Sequence, residues 1–268
     1  KDQNIIVVGG GIVGAATFYK MQKRFPDKTI LLIDKMDKLA DHQTGHNSGV
    51  IHSGLYYKPG SLKADNCVRG RRELVKFAKE YNVDHDVCGK VVVATNESEM
   101  PRLEKIHGIG IENGIEGLEK ISVEQLAEIE PHCKGVGALW VPCTGIIDFR
   151  AATEKMVEVG QGIQQNSAVH LSEEVLDFET SGDGTILKTN KGEYYAGKLI
   201  VCGGLQADRL AKKDGVKLRE RVVGFRGDYY ELNDHAKHKI RNLIYPVPNP
   251  DFPFLGVHFT RMTNGEIE

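Results

Sequence analysis

The sequence predicts an α/β fold, and three observations near its N-terminal end support this. An apolar run at residues 5–8 leads into Gly9, Gly11 and Gly14, which are spaced as GxGxxG. A helical segment follows, and a second apolar run ends at Asp34. In a nucleotide-binding unit the three glycines turn the chain, let the backbone approach a pyrophosphate and pack the helix against the strand. We therefore predict a Rossmann-like unit at the start of the chain.

The expected ligand of this unit is a dinucleotide. A helix N-terminus offers free N–H groups and partial positive charge to a pyrophosphate, and Asp34 stands where a carboxylate accepts ribose hydroxyls. The cofactor-binding residues predicted from this unit are Gly9, Gly11, Ile12, Val13, Gly14, Asp34 and Lys35. The motif alone does not separate FAD from NAD, because both present an ADP half. Its place at the very start of the chain favours FAD.

The next elements are predicted in chain order. Residues 41–60 are polar, rich in glycine and histidine and without periodicity, which is typical of a functional loop. Ser61 is the expected N-cap of a helix that runs to about Tyr81. A strand at residues 91–93 and a helix after Glu97 follow. Ser122 and Gln125 have the spacing of a capping box for a further helix.

The second half of the chain is predicted to return to the nucleotide-binding domain. The predicted elements are a helix from Phe149 to about Gln165, strands at Val175–Phe178, Thr185–Thr189, Glu193–Ala196 and Leu199–Cys202, and a helix around Asp208–Lys213. From Arg221 onward we expect a strand-rich, aromatic segment. Its apolar residues are Val222, Val223, Phe225, Tyr229, Tyr230, Tyr245, Phe252, Phe254 and Phe259.

Composition excludes several classes of function. The net charge of −2 gives no polyanion-binding signature, so nucleic acid is not an expected partner. The five cysteines are odd in number and form no C-x-x-C pair, which favours neither a disulfide framework nor a metal site and fits a reducing compartment. No apolar run approaches a membrane span and no cleavable signal precedes the first strand. We expect a cytoplasmic protein, with peripheral contact at an inner membrane left open.

Longer motifs carry a resemblance to a known family. The segments IIVVGGGIVG, TGHNSGVIHSGLYYKPGSLKA, GIIDF, LIVCGGLQADR, FRGDYYEL and YPVPNPDFPFLGVHFTRM resemble the L-2-hydroxyglutarate oxidase/dehydrogenases. These are FAD enzymes of the D-amino-acid-oxidase and glycine-oxidase superfamily. The resemblance implies oxidation of L-2-hydroxyglutarate to 2-oxoglutarate by hydride transfer to flavin N5. It also implies oxygen or a membrane quinone as electron acceptor, and a mitochondrial location if the source is eukaryotic.

The resemblance implies two interleaved domains of glutathione-reductase-like type. Residues 1–82 and 148–220 would form the FAD-binding domain, and residues 83–147 and 221–268 a mixed-sheet α+β substrate domain. Two departures from the family pattern accompany this expectation. The chain ends at Glu268, where the family continues for a further segment, so we expect loose FAD binding or poor folding. Gly224 stands where the family pattern has proline.

Further cofactor contacts are expected after the first unit. The loop residues Thr44, His46, Asn47, Ser48 and Gly49 are small or polar and follow the acidic end of the second strand. An ordinary polar loop has a similar composition, and for His46 a structural role is the favoured one. By resemblance to the superfamily, a second FAD contact is expected at Val175, Cys202, Gly203 and Gly204.

The predicted catalytic residues are His52, His258, Arg261, Tyr230 and Arg226. His52 lies in the loop that the resemblance places beside the flavin ring, and a group that titrates near neutral pH suits removal of the hydroxyl proton. A histidine that only hydrogen-bonds the loop is the alternative. Arg226 and Arg261 could bind a dicarboxylate through their guanidinium groups. Arg226 could equally pair with Asp228 or Glu231, and Tyr230 could be a packing residue.

Three other functions stay open from the sequence. The substrate could be another small hydroxy or amino acid, such as a glycine-oxidase-like amine. The chain could be a truncated flavin-binding fragment without catalysis. An NAD-linked dehydrogenase is disfavoured, because the block after Asp34 lacks the alternating strand and helix units of a full nicotinamide domain.

Overall fold

The computed structural model describes residues 2–251 and 256–268. By contacts, these residues form two compact units. The first unit runs to Asn47 and includes Phe149–Gly227, and the second unit combines Ser48–Asp148 with Asp228–Glu268. Residues 48–82, assigned above to the FAD-binding domain, group with the second unit. The functional domain division stays a prediction.

Both units contain strands and helices. The strands are β1 (Asp2–Val8), β2 (Ile30–Ile33), β3 (Val50–Ile51), β4 (His85–Asp86), β5 (Lys90–Ala94), β6 (Glu119–Ile121), β7 (Gly137–Val141), β8 (Gly145–Ile147), β9 (Ala168–His170), β10 (Val175–Ser181), β11 (Gly184–Thr189), β12 (Gly192–Val201) and β13 (Leu243–Pro246). The helices are α1 (Ile12–Arg24), α2 (Leu62–Glu80), α3 (Met100–Glu112), α4 (Val123–Ile129), α5 (Phe149–Ile163), α6 (Ala207–Lys213) and α7 (Asp234–Lys237).

The first unit contains a six-stranded sheet in the order β10-β11-β12-β1-β2-β9. β1 lies parallel to both β2 and β12, and β10, β11 and β12 form an antiparallel meander. Helix α1 packs on α5, where Gly160 leaves room for the Phe18 ring. Residues 5–8 of β1 and all of β2 are buried, which accounts for the two continuous apolar runs in the sequence.

One strand prediction in this unit was wrong. The segments Glu193–Ala196 and Leu199–Cys202 were expected to be separate strands, but they form the single strand β12. β12 stays in register with β1 from Tyr195 to Val201, and Gly197 lets it approach the backbone of Asn4 closely. The polar pair Gly197-Lys198 therefore lies within a continuous strand.

The second unit contains a four-stranded sheet in the order β13-β5-β7-β6 and a three-stranded sheet in the order β3-β8-β4. All five residues of β5 are buried. Alternate side chains of a strand face opposite sides of the sheet. Val91 and Val93 accordingly join one hydrophobic cluster, while Val92 and Ala94 join another that includes Leu55, Cys143 and Tyr245. Lys90 shares the face of Val92 and Ala94.

Two helix starts follow the sequence prediction. The Ser61 side chain accepts a hydrogen bond from the Ala64 N–H, and α2 ends at Glu80. Ser122 and Gln125 form a complete capping box at the start of α4. In the described part of the chain, no helix combines the length and the apolar character needed to cross a bilayer.

The strand-rich segment expected after Arg221 is largely absent from the described residues. Residues 214–233 are irregular, and β13 is the one strand described beyond residue 220. Phe225 and Tyr230 are exposed there, because no strand among the described residues pairs with this segment and buries one of its faces. Gly224 lies in the same segment with open space around its Cα. Phe252 and Phe254 lie outside the described residues.

Candidate cofactor site and active site

The glycine turn after β1 brings backbone segments into close approach. Gly9 has a φ of +116°, and a Cβ there would lie 2.3 Å from the carbonyl oxygen of Cys202. A Cβ on Gly14 would lie 1.7 Å from the carbonyl oxygen of Gly9. Side chains at these two positions would collide with backbone that has no alternative place. The turn is therefore tight, and α1 begins at Ile12 after β1 ends at Val8.

Backbone N–H groups organise Asp34 at the end of β2. Its Oδ2 accepts a hydrogen bond of 2.5 Å from the Gly10 N–H, and its Oδ1 accepts one of 2.7 Å from the Met36 N–H. The Thr44 hydroxyl accepts from the Ile12 N–H at 3.0 Å. An ionised carboxylate has about four acceptor sites, so Asp34 retains capacity for the hydroxyls of a ribose.

These segments line a cavity of about 670 Å³ in the first unit. This volume lies within the range of about 300–1,000 Å³ typical of small-molecule sites. The predicted cofactor residues that line it are Gly9, Gly11, Ile12, Val13, Asp34, Lys35, Thr44, Val175, Cys202, Gly203 and Gly204. Residues on its wall that the sequence analysis did not single out include His42, Gln43, Glu174, Arg209 and Lys213.

The other predicted cofactor residues lie elsewhere. Gly14 is buried beneath the turn against Gly9. His46 and Asn47 contact their own loop, through the His42 carbonyl at 2.8 Å and the Thr44 carbonyl at 2.6 Å. Ser48 and Gly49 belong to the second unit, where the Gly49 carbonyl accepts from the Ile147 N–H. Contact of these loop residues with a cofactor stays a prediction.

A buried carboxylate supports the cavity wall beside Val175. Glu173 accepts from the Thr189 hydroxyl at 2.6 Å and lies 3.1 Å from Nδ1 of His170, and its own N–H donates to the Asp34 carbonyl. Burial raises the pKa of Glu173, but these hydrogen bonds and one from Tyr194 outweigh it, so the pKa is lowered. Burial and the adjacent Glu173 raise the pKa of Tyr194 to about 12. The Glu173 carboxylate therefore stays ionised and joins the segment before β10 to His170 of β9 and Thr189 of β11 at the cavity edge.

The cavity fits the ADP-containing half of a dinucleotide. Glycines line the turn where a phosphate approaches the backbone, α1 presents its N-terminus there, and Asp34 offers acceptors to a ribose. The N-cap position of α1 is Gly11, with no side chain that caps the helix. The first N–H groups of α1 remain suited to an anionic ligand.

The second unit holds a separate group of titratable side chains around His52. The His52 ring keeps solvent-accessible surface but is crowded by protein atoms. Loss of hydration, together with the nearby Lys90 and His258, lowers the pKa of His52 to about 4. Neutral imidazole therefore predominates near pH 7, which is the form that accepts a proton.

Lys90 is the most buried cation of this group. It is 1% exposed, and its Nζ lies 4.8 Å from the ring centroid of Tyr56 and 4.7 Å from that of Tyr245. Burial lowers the pKa of Lys90 to about 8. A cavity of about 20 Å³ opens beside it, lined by His52, Ser53, Gly54, Leu55, Tyr56, Tyr57 and Lys90.

The other four predicted catalytic residues do not line the small cavity beside Lys90. His258 packs against Tyr245, with ring centroids 4.5 Å apart, and its Nδ1–H donates to the Gly256 carbonyl at 2.9 Å. Arg261 forms an ion pair with Asp86 and donates to the Arg241 carbonyl at 3.3 Å. Tyr230 is 86% exposed in the irregular segment, and Arg226 belongs to the first unit. Their substrate contacts stay predictions.

Comparison with protein families matches residues 4–267 to the family described as FAD dependent oxidoreductase. The chain belongs to this family. FAD is therefore the cofactor, and the cavity of the first unit has the features that its ADP half requires.

Named relatives span the whole chain. L-2-hydroxyglutarate dehydrogenase of Indibacter alkaliphilus is 45% identical over 268 residues, which is 100% of this chain and 67% of the relative. The enzyme of the same name from Escherichia coli K12 is 40% identical, over 98% of this chain and 62% of its own length. The mitochondrial L-2-hydroxyglutarate dehydrogenase of Nematostella vectensis is 38% identical, over 98% of this chain and 60% of its own length. The chain thus spans between 60% and 67% of the length of these relatives.

Solved structures of the same architecture confirm the fold class. L-alpha-glycerophosphate oxidase of Mycoplasma pneumoniae, solved with FAD bound, superposes with a TM-score of 0.82 at 22% identity, over 100% of this chain and 70% of the other. Glycine oxidase of Geobacillus kaustophilus gives a TM-score of 0.82 at 16% identity, over 99% and 70%.

Sequence reasoning missed Lys90 in this FAD-dependent oxidoreductase. In the sequence, Lys90 precedes three valines, where it resembles the solvated end of a strand. Its burial depends on β7 and β13, which flank β5 but come from distant parts of the chain. The two tyrosines over which it lies are likewise 34 residues before it and 155 residues after it in the chain. No local sequence signal would have grouped the three.

Proposed function

We propose that this protein catalyses the FAD-dependent oxidation of L-2-hydroxyglutarate to 2-oxoglutarate. The observation that carries the proposal is the 45% identity, over the whole chain, to an L-2-hydroxyglutarate dehydrogenase. The cavity of the first unit supports the cofactor assignment. The residues that would hold FAD there are the glycine turn at Gly9 to Gly11, Asp34 and Thr44.

The chemistry divides between the cofactor and the protein. FAD, when bound, supplies an acceptor for the hydride that leaves the carbon bearing the hydroxyl. The protein must bind the substrate and take the hydroxyl proton. His52 is the proposed acceptor of that proton, because its side chain is exposed on the loop and its imidazole is neutral near pH 7. The carboxylates of the substrate require cationic or strong donor groups in the second unit.

The test is a visible absorption spectrum of the purified protein before and after anaerobic addition of L-2-hydroxyglutarate, with the D enantiomer as control. The expected result is a flavin band that bleaches with the L acid and not with the D acid. A flavin band that bleaches instead with glycine or with another hydroxy acid would replace the proposed substrate. Protein that binds flavin but is reduced by no acid, or that binds none, would contradict catalysis by this chain.

Electron transfer after the oxidation is also part of the proposal. The acceptor is oxygen or a membrane quinone, with the protein in the cytoplasm or peripheral at an inner membrane. Mixing the reduced protein with aerated buffer, and separately with a soluble quinone under anaerobic conditions, distinguishes the two acceptors. Rapid reoxidation by the quinone alone would favour a dehydrogenase at the membrane.

A further inference from the structure

Lys90 is a buried cation that has no counter-ion in the described part of the chain. It lies at the start of β5, 1% exposed, on the sheet face that carries Val92. The groups that act on its charge are the surrounding apolar protein and the thiols of Cys143 and Cys67. Within residues 2–251 and 256–268, no carboxylate forms an ion pair with it. A buried ammonium in this state needs a partner or loses its proton.

The two tyrosine rings favour the charged form of Lys90. Its Nζ lies within 5 Å of the centroids of Tyr56 and Tyr245, at 4.8 Å and 4.7 Å. A ring face attracts a cation most strongly where water is excluded. Two such faces partly replace the lost hydration, but they satisfy none of the three N–H donors of the ammonium. The site remains suited to a negatively charged acceptor.

Two residues that line the same small cavity as Lys90 carry hydroxyl groups without a partner among the described residues. The Ser53 Oγ and the Tyr56 hydroxyl are buried, and neither has a hydrogen-bond partner among the described residues. Both residues line the cavity of about 20 Å³ together with Lys90 and His52. A space of this size holds one small polar group, such as a water molecule or one oxygen of a carboxylate. Burial raises the pKa of Tyr56, so its hydroxyl stays protonated and able to donate.

We propose that Lys90, with the hydroxyls of Ser53 and Tyr56, binds a carboxylate group of the substrate. This inference rests on the proposed function and adds to it the cation of the second unit that binds a substrate carboxylate. The arrangement provides one positive charge and two neutral donors around one small cavity. It selects an anionic acid over a neutral alcohol, because a neutral group would leave the buried charge unpaired.

Other buried or paired cations of the second unit already have partners. Arg71, also buried, forms an ion pair with Glu116 and donates to the Cys143 carbonyl. Arg261 is paired with Asp86. A substrate carboxylate would have to displace an existing carboxylate from either arginine, whereas at Lys90 it would supply a missing one.

The experiment measures binding of glutarate, a dicarboxylate without the reactive hydroxyl, to the FAD-loaded protein. Isothermal titration calorimetry gives the dissociation constant directly. Lys90→Met should weaken glutarate binding by about tenfold to a hundredfold, as expected for loss of a hydrogen bond to a charged group. Lys120→Met, which removes an exposed lysine from β6 of the same sheet, should leave binding unchanged.

Two further variants keep the test independent of the folding of Lys90→Met. Tyr56→Phe retains the ring under the ammonium and removes the hydroxyl, and Ser53→Ala removes the other donor. Each should weaken glutarate binding several-fold. Unchanged binding in Lys90→Met, or in both hydroxyl variants, overturns the inference.

The outcome also separates this inference from the proposed function. Protein that is bleached by L-2-hydroxyglutarate, but binds glutarate without dependence on Lys90, would retain the function and lose the carboxylate site. Protein that L-2-hydroxyglutarate does not bleach, but that binds glutarate through Lys90, would retain the site and lose the substrate.

Discussion

The cavity of the first unit and the group around His52 in the second unit are built in different ways. The first is made mostly by backbone, since N–H groups satisfy Asp34 and glycines bring chain segments together. The second is made by side chains, and among the described residues the Lys90 ammonium has no ion-pair partner and the Ser53 and Tyr56 hydroxyls have no hydrogen-bond partner. A site made of backbone groups is lost when the path of the chain changes. A site made of side chains can lose one of them while the fold is kept. Substitutions in the first should act on cofactor retention and stability, and those in the second on affinity and rate.

The largest effect is expected from Gly14→Ala. The added methyl would lie 1.7 Å from the Gly9 carbonyl oxygen, so the turn and the start of α1 must move apart. We expect a loss of about 3 kcal/mol or more of unfolding free energy. We also expect purified protein without FAD, measured by thermal unfolding and by absorbance.

The matched control for Gly14→Ala is Gly162→Ala in α5, where nothing lies within 4 Å of the added carbon. Alanine there should raise stability by about 0.5–1 kcal/mol, because it lowers the entropy of the unfolded chain and favours helix. Retention of FAD by Gly14→Ala would show that the turn is less constrained than its geometry indicates.

His52→Gln is the corresponding substitution in the second unit. We expect FAD content and melting temperature to stay near those of the parent protein, and flavin reduction by L-2-hydroxyglutarate to slow by about 10²–10⁴-fold. Stopped-flow absorbance measures the rate. His107→Gln in α3 is the control for loss of an imidazole. A slowing of less than tenfold in His52→Gln would favour the alternative that His52 only hydrogen-bonds its loop.

The difference between the two sites also explains what the sequence could predict. A backbone requirement appears in the sequence as glycine, so Gly9, Gly11 and Gly14 with Asp34 predicted the strand, turn and helix that the structure contains. Capping residues such as Ser61 act over three positions and were equally predictable. Local rules of this kind extend to most helices and to β1, β2, β10 and β11 of the first sheet, whereas β9 was not predicted and β12 was expected as two strands.

Features that depend on distant segments were not predictable in this way. The pairing of β5 with β13 and β7 buries Lys90, and nothing around residue 90 records that pairing. The apolar and aromatic residues from Arg221 onward predicted strands, but a strand also requires a neighbour, and none pairs with residues 221–233 in the described part of the chain. Periodicity reports which side chains a strand would bury, not whether a partner strand is present.

The pH dependence of glutarate binding tests the charge on Lys90. Burial holds the pKa of Lys90 at about 8, so affinity should be constant below that pH and fall about tenfold per pH unit above it. In Lys90→Arg the fall should disappear, because a guanidinium stays charged. The effect on stability has the opposite sign. The buried charge is destabilising below pH 8, and stability should rise as pH increases from 8 toward the ordinary lysine value of 10.5.

Most titratable groups near Lys90 keep one protonation state near pH 8. Burial raises the pKa values of the Tyr56 and Tyr245 hydroxyls and of the Cys67 and Cys143 thiols, so these groups stay neutral near pH 8. His52 is already neutral there. His258, whose ring packs on Tyr245, is the remaining neighbour, and His258→Gln serves as the control. A fall in affinity that persists in Lys90→Arg and vanishes in His258→Gln would assign the titration to His258.

The smallest effect is expected from Arg261→Met, and its size decides whether Arg261 or Lys90 binds the substrate carboxylate. Arg261 and Asp86 form a partly exposed ion pair, which typically contributes about 0–1 kcal/mol to stability. We expect the glutarate dissociation constant to change by no more than about threefold, because the guanidinium is already paired within the protein. Calorimetric titration of Arg261→Met beside Lys90→Met measures both dissociation constants on one scale. A larger loss in Arg261→Met would mean that the substrate displaces Asp86, and the carboxylate would then belong to Arg261, as the sequence alone predicted.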